Sequence, residues 1–188
     1  MEIRTERLLL RQWRDTDRAP FAALNADPEV RRYFPGTQDR EASDRSIDGW
    51  TAELQQRGWG LWAAERRDTS EFIGFIGLSI PHHPLPCMPC VEIGYRLAKA
   101  HWKNGFATEG ASAALDFGFS RLSLEEIVSF TALINLPSRA VMERLGMINS
   151  GEDFDHPAIA EGSPIRRHCL YRLIRARWLQ RRNLTHGG

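Results

Sequence analysis

Apolar residues recur at helical spacing in two long stretches of the chain. Ile47, Trp50, Thr51 and Leu54 mark one buried stripe, which predicts a helix over 41–56. A second helix is predicted over 107–122, where positions 107, 111, 114, 115, 118 and 122 are all Ala, Gly or Leu. A face that small packs close on a sheet. Apolar runs rich in aromatic and β-branched residues predict strands over 7–13, 59–65, 72–80, 91–97, 126–131, 147–153 and 165–174. Between these lie start and stop signals. Asp15 or Asp17 caps a short helix with Pro20 in its first turn. Asp27-Pro28-Glu29 opens another, and Asn135-Leu136-Pro137-Ser138 opens a third that stops at Gly146. Four prolines fill the loop 81–90 and end the strand before it.

The turn 67–70 joins two strands as a hairpin, so pairing there is antiparallel. The strand–helix–strand unit over 91–131 implies one parallel pair with a right-handed crossover. The expected fold is α+β, with a central, mostly antiparallel, seven-stranded mixed sheet. A single domain is expected over 1–175, followed by a basic, frayed tail over 176–188. A polar loop over 154–164 is expected between the last two strands.

Composition narrows the classes. With 188 residues, 42% hydrophobic and 26% charged, the chain has the balance of a folded domain. A net charge of +1 gives no global field to draw in nucleic acid or a membrane. Three cysteines do not make a disulfide scaffold, and no apolar run is long enough to span a bilayer, so a cytoplasmic location is expected.

The stretch with the most chemistry is Ala100-His101-Trp102-Lys103-Asn104-Gly105-Phe106-Ala107-Thr108-Glu109-Gly110, between a strand and a helix. Free N–H groups at a helix start, with the positive end of the helix dipole, make a site for phosphate. Gly105 lets the backbone approach an anion, Ala107 keeps the surface low, Thr108 adds a hydroxyl and Lys103 adds charge.

The run 102–107 resembles the pyrophosphate loop of the GNAT N-acetyltransferase superfamily, in its ribosomal-protein alanine acetyltransferase (RimJ/RimL-like) branch. The opening Thr5-Glu6-Arg7-Leu8-Leu9-Leu10-Arg11 resembles the entry strand of that branch. The resemblance covers about residues 3–174. It implies a GNAT fold with helices on both faces of the sheet and a splayed parallel pair. It also implies an acetyl-CoA co-substrate whose pantetheine amides pair with Tyr95, Arg96 and Leu97, a ligand acting as an added strand. Pyrophosphate would rest on Lys103, Asn104, Gly105, Phe106, Ala107 and Thr108. Asn135 and Ser138 match an Asn-x-x-Ser element that contacts the cofactor arm in relatives, although helix capping accounts for Ser138 equally simply.

Acyl transfer needs a neutral amine, a polarised carbonyl and a proton for the leaving thiolate. Many relatives place a Tyr four residues after the Ser, and here that position is Met142. Either another group supplies the proton or the thiolate leaves unassisted. Glu92, the one acid in an apolar strand, is the candidate base, with a structural pairing to Arg96 or a backbone donor as the alternative. His156 and His168 read as a proton relay or as loop anchors. His82, His83, Cys87 and Cys90 invite a zinc reading, but the stiff Pro-rich spacing makes tetrahedral closure awkward, and no metal is expected. Tyr33 and Phe34, with Trp59, are aromatic candidates for the acceptor mouth, and Asp153, Asp155 and Glu161 could attract a cation there. The expected function is acetyl transfer from acetyl-CoA to a protein N-terminal α-amine or a small-molecule amine, by direct attack in a ternary complex. A non-catalytic acyl-CoA-binding module is the alternative, and a homodimer is among the states the resemblance implies.

Overall fold

The computed structural model describes residues 1–186. Its strands form a mixed, mostly antiparallel open sheet with one parallel pair, and six α-helices accompany them among the described residues. Nine strands are present among the described residues rather than seven, because two two-residue strands, Ile3–Arg4 and Phe154–Asp155, add to the pattern, and the strand predicted over 147–153 shrinks to Ile148–Asn149. The chain divides into two compact units, Met1–Ser79 with Gly94–Ala114, and Ile80–Ile93 with the residues from Leu115 onward.

In the first unit, β1 (Ile3–Arg4), β2 (Leu8–Arg11), β3 (Leu61–Arg66) and β4 (Phe72–Ser79) pair antiparallel in chain order. The end of β5 (Glu92–Leu97) follows β4. The predicted first strand is therefore shorter than expected and preceded by a separate short one. Three helices follow β2: α1 (Arg18–Ala26), α2 (Pro28–Arg31) and α3 (Arg40–Arg57). Asp27 caps α2 as predicted, accepting the Glu29 N–H at 2.8 Å. Asp17 does not cap α1; its carboxylate holds Arg11 instead, at 2.7 and 2.9 Å. The core is aromatic: Phe21 and Trp50 lie 5.2 and 5.5 Å from Trp13, and Phe75 lies 4.8 Å from Trp50. Gly74, at φ 139°, lets β4 run close to β5, since a Cβ there would sit 2.1 Å from the Arg96 carbonyl oxygen. The small face of α4 (Phe106–Ser120) packs as tightly: Ala111 and Ala114 are fully buried, and a Cβ on Gly110 would meet the Ile76 side chain at 2.4 Å.

In the second unit, Glu92 of β5 lies opposite Val128 of β6 (Glu126–Ala132), the parallel pair. Val128 N–H donates to Val91 O at 2.9 Å and Ser129 Oγ donates to Ile93 O at 3.1 Å. After α5 (Leu136–Arg144) and β7 (Ile148–Asn149) comes β8 (Phe154–Asp155), then β9 (Arg167–Ile174), which pairs with β6, β7 and β8. The supposed polar loop 154–164 thus opens with a strand, and buried Phe154 joins Leu85, Cys87, Val128 and Leu170 in a core. The basic tail expected over 176–188 is helical as far as His186. Arg175–His186 is helix α6, held by buried Trp178, whose Nε1 donates to Asp116 at 2.7 Å, and by Arg177, whose Nε donates to Gly146 O at 3.0 Å. Gly187 and Gly188 lie outside the described residues.

Candidate active site

In the first unit, β5 ends at Leu97 and a short 3-10 turn, Lys99–His101, leads to the start of α4. Two residues in the left-handed region turn the chain there, Lys103 at φ 62° and Gly105 at φ 80°. For Lys103 that conformation is strained by roughly 1 kcal/mol, while for Gly105 it costs little. The first backbone bond of α4 runs from Glu109 N–H to Gly105 O at 3.0 Å, so the N–H groups before it lie ahead of the helical ladder. Lys103, Asn104 and Gly105 are exposed, Ala107 and Thr108 half-buried, and the Phe106 ring is buried, leaving only its backbone for a ligand.

The turn is braced from β2's approach. Arg7 donates from Nη1 to Asn104 O at 2.9 Å and from Nε to Glu109 Oε2 at 2.6 Å, and its guanidinium lies 4.7 Å over the Phe106 ring. Thr5 Oγ1 and the Arg7 N–H also donate to Glu109, at 2.5 and 2.8 Å. Burial pushes the Glu109 carboxyl up, but the bonds from Thr5 and Arg7 outweigh it and hold its pKa below the usual range. Trp102 Nε1 donates to Leu97 O at 2.8 Å, tying the strand end to the turn. The Thr5–Arg11 run and the turn, nearly a hundred positions apart in sequence, are thus parts of one assembly.

Arg96 does not pair with Glu92. Its Nη1 donates to Asn25 Oδ1 at 2.8 Å and its guanidinium lies 4.1 Å over the Phe34 ring. Phe34, with Arg31 on the same ring at 4.9 Å, is therefore gathered with Arg96, whereas Tyr33 stacks under Arg32 at 4.6 Å.

In the second unit, Asn135 is the cap of α5. Its Oδ1 accepts the Ser138 N–H at 3.3 Å and its Nδ2 donates to Thr131 Oγ1 at 2.8 Å, so the capping side chain is Asn135 rather than Ser138. Met142 is buried and brings no proton. Tyr171 is a phenol the sequence reading passed over. Its O–H donates to Glu143 Oε1 at 2.9 Å, so it is already committed. Burial, with that bond, pushes its pKa up. Glu92 is half-buried on β5. His156 and His168 stack 5.0 Å apart, with Phe130 and Phe154 against them. Burial, then the charges of His168 and His83, pushes His156 down to about 4. Cys87 and Cys90 bring their sulfurs to 3.4 Å, and burial with the Cys87 contact pushes the Cys90 thiol up to about 12. No three His, Cys, Asp or Glu side chains converge as metal ligands among the described residues.

Residues 7–148 match the acetyltransferase (GNAT) domain family. This chain belongs to the GNAT acetyltransferases. Members of the family use acetyl-CoA, and the activity of this chain is acetyl-CoA-dependent acyl transfer. It is 34% identical to an uncharacterized N-acetyltransferase, YoaA, of Bacillus subtilis over 152 residues, which is 79% of this chain and 84% of that one. Among solved structures, it is similar to a GNAT-family acetyltransferase from Bacillus anthracis, with a TM-score of 0.77 and 24% identity, covering 94% of this chain and 99% of that one. It is also similar to RimJ of Mycobacterium smegmatis in complex with a CoA-disulfide, with a TM-score of 0.74 and 22% identity, covering 100% and 93%. No helix among the described residues is long and apolar enough to cross a membrane.

Proposed function

We propose that this GNAT enzyme acetylates a primary amine, a protein N-terminal α-amine or a small-molecule amine, by direct attack in a ternary complex, in the manner of the RimJ/RimL-like branch. The observation that carries the reading is the 102–108 turn. Its two left-handed residues and exposed helix start fit a diphosphate, with Lys103 adding charge. In this reading the N–H groups of Lys103, Asn104, Gly105, Phe106, Ala107 and Thr108 hold the pyrophosphate. The backbone of Tyr95, Arg96 and Leu97 receives the pantetheine amides. Asn135 and Ser138 contribute to the same cofactor, and Tyr33 and Phe34 border the acceptor.

Bound acetyl-CoA supplies a thioester carbon open to attack by an amine. Glu92, in partly desolvated surroundings, takes the proton of the ammonium, directly or through water. Met142 has no proton for the sulfur and the Tyr171 O–H is held by Glu143, so either another group serves as the acid or the thiolate leaves unassisted, which a CoA thiol does tolerably well. Release of free CoA thiol with a panel of amines tests the reading. Thiol release with at least one amine, lowered some 10²-fold or more by Glu92→Gln in a folded protein, is the expected result. A CoA-induced rise in melting temperature with no thiol release from any amine would identify a binding module instead.

A further inference from the structure

Arg31 is almost fully buried, with 6% exposure, and its Nε donates to Gly36 O at 2.8 Å. Arg96 is half-buried, and its Nε, buried in the protein, has no hydrogen-bond partner. Both guanidiniums lie on the one Phe34 ring, at 4.9 and 4.1 Å, and Arg96 also lies 5.2 Å over Phe75. Neither makes an ion pair among the described residues. Two cations removed from water side by side, without an anion, are a costly arrangement. Ring faces return only part of that cost, and the Phe34 ring is shared by both.

The geometry is also fixed in advance. Asn25 is fully buried; it holds Arg96 through Oδ1, and its Nδ2 donates to Ser43 Oγ at 3.1 Å, which in turn donates to Asp39 O at 2.8 Å. Arg96 therefore presents its fork from a rigid seat, the condition for reading a carboxylate or phosphate. Phe34 is 37% exposed and Arg96 is half-buried, so the Phe34 end of the cluster meets solvent.

We propose that Arg31 and Arg96, which share the Phe34 ring, bind an oxyanion carried by the acceptor, so that the amines acetylated by this enzyme bear a carboxylate or a phosphate. The inference rests on the acetyltransferase reading above and names its substrate class. Its first test needs no knowledge of the amine. Protein saturated with CoA is titrated with succinate or inorganic phosphate against chloride at equal ionic strength, and its melting temperature is followed. A further rise of a few degrees is expected, lost in both Arg31→Gln and Arg96→Gln while Arg31→Gln keeps the rise caused by CoA. No rise in the unmodified protein, or a rise that survives both substitutions, overturns the proposal. A missing CoA response would count against the diphosphate turn instead, and the anion titration is then read on the protein alone.

The second test separates the two oxyanions with matched acceptors: amino acids against their carboxamides, and phosphoethanolamine against ethanolamine. At least a tenfold preference in kcat/KM for one charged partner is expected, abolished by Arg31→Gln with KM for acetyl-CoA unchanged. An increase in that KM would assign the pair to the cofactor and overturn the proposal.

Discussion

Two clusters in the first unit bury arginine, and they treat it in opposite ways. Arg11, 3% exposed, donates to Asp17 at 2.7 and 2.9 Å and to Glu65 at 2.6 Å, and Arg14 adds a second cation to Glu65 at 2.9 Å. Burial pulls its pKa down, but the two carboxylates outweigh that and leave it raised. Arg31 is buried nearly as deeply, yet burial acts on it unopposed and its pKa falls. Burial, and then the charge of Arg31, pushes Arg96 down to about 9. A buried cation that meets two anions belongs to the architecture, locking the 3-10 turn Asp15–Asp17, which follows β2, against β3. A pair of cations left with two rings, a carbonyl and an amide, but no anion, is unfinished without a ligand. The second unit shows a third solution. His156, among aromatic neighbours and two other imidazoles, gives up its proton instead.

Each difference can be broken experimentally. The largest effect is expected for Asp17→Asn, which strips Arg11 of half its countercharge and should cost about 3–5 kcal/mol in urea denaturation. A loss below 1 kcal/mol would mean the network is not structural. Next is Asn25→Asp, which gives Arg96 the carboxylate it lacks. Stability should hold or rise by about 1 kcal/mol while preference for anionic acceptors disappears. Retention of that preference would separate Arg96 from acceptor recognition. Smaller again is Arg31→Gln, expected to cost under about 1 kcal/mol despite the burial, because the charge removed was itself a burden. A cost comparable with Asp17→Asn would put the two clusters in one class.

The smallest effect is expected from His156. Its folded pKa is about 4, below the ordinary 6.5, so the unfolded chain binds the extra proton first. Its contribution to stability is therefore complete above pH 6.5 and is lost as pH falls toward 4. Replacing it by Phe should flatten that part of the stability–pH curve, and an unchanged slope would show that His156 does not titrate there.

The sequence revealed what is local and left hidden what is distant. Period and capping residues located most of the helices and the hairpin, and Gly105 after a strand marked the turn, because these signals act within a few residues. The bond from Arg96 to Asn25 spans 71 positions and that from Arg11 to Glu65 spans 54, and no pattern along the chain announces either. Helix α6 was missed because its arginines hide the one buried tryptophan that docks it. Strand β8 was missed because Phe154 stands alone in polar sequence. Asn135 was recognised, but which residue caps α5 depends on side-chain direction, which spacing does not give.

The claim on which the rest depends is that the 102–108 turn holds the diphosphate of acetyl-CoA. The direct measurement is a crystal structure of the protein grown with CoA. Phosphate oxygens are expected within hydrogen-bonding distance of main-chain N–H groups between Lys103 and Thr108. A diphosphate bound elsewhere, with that turn closed by its own side chains, would contradict it.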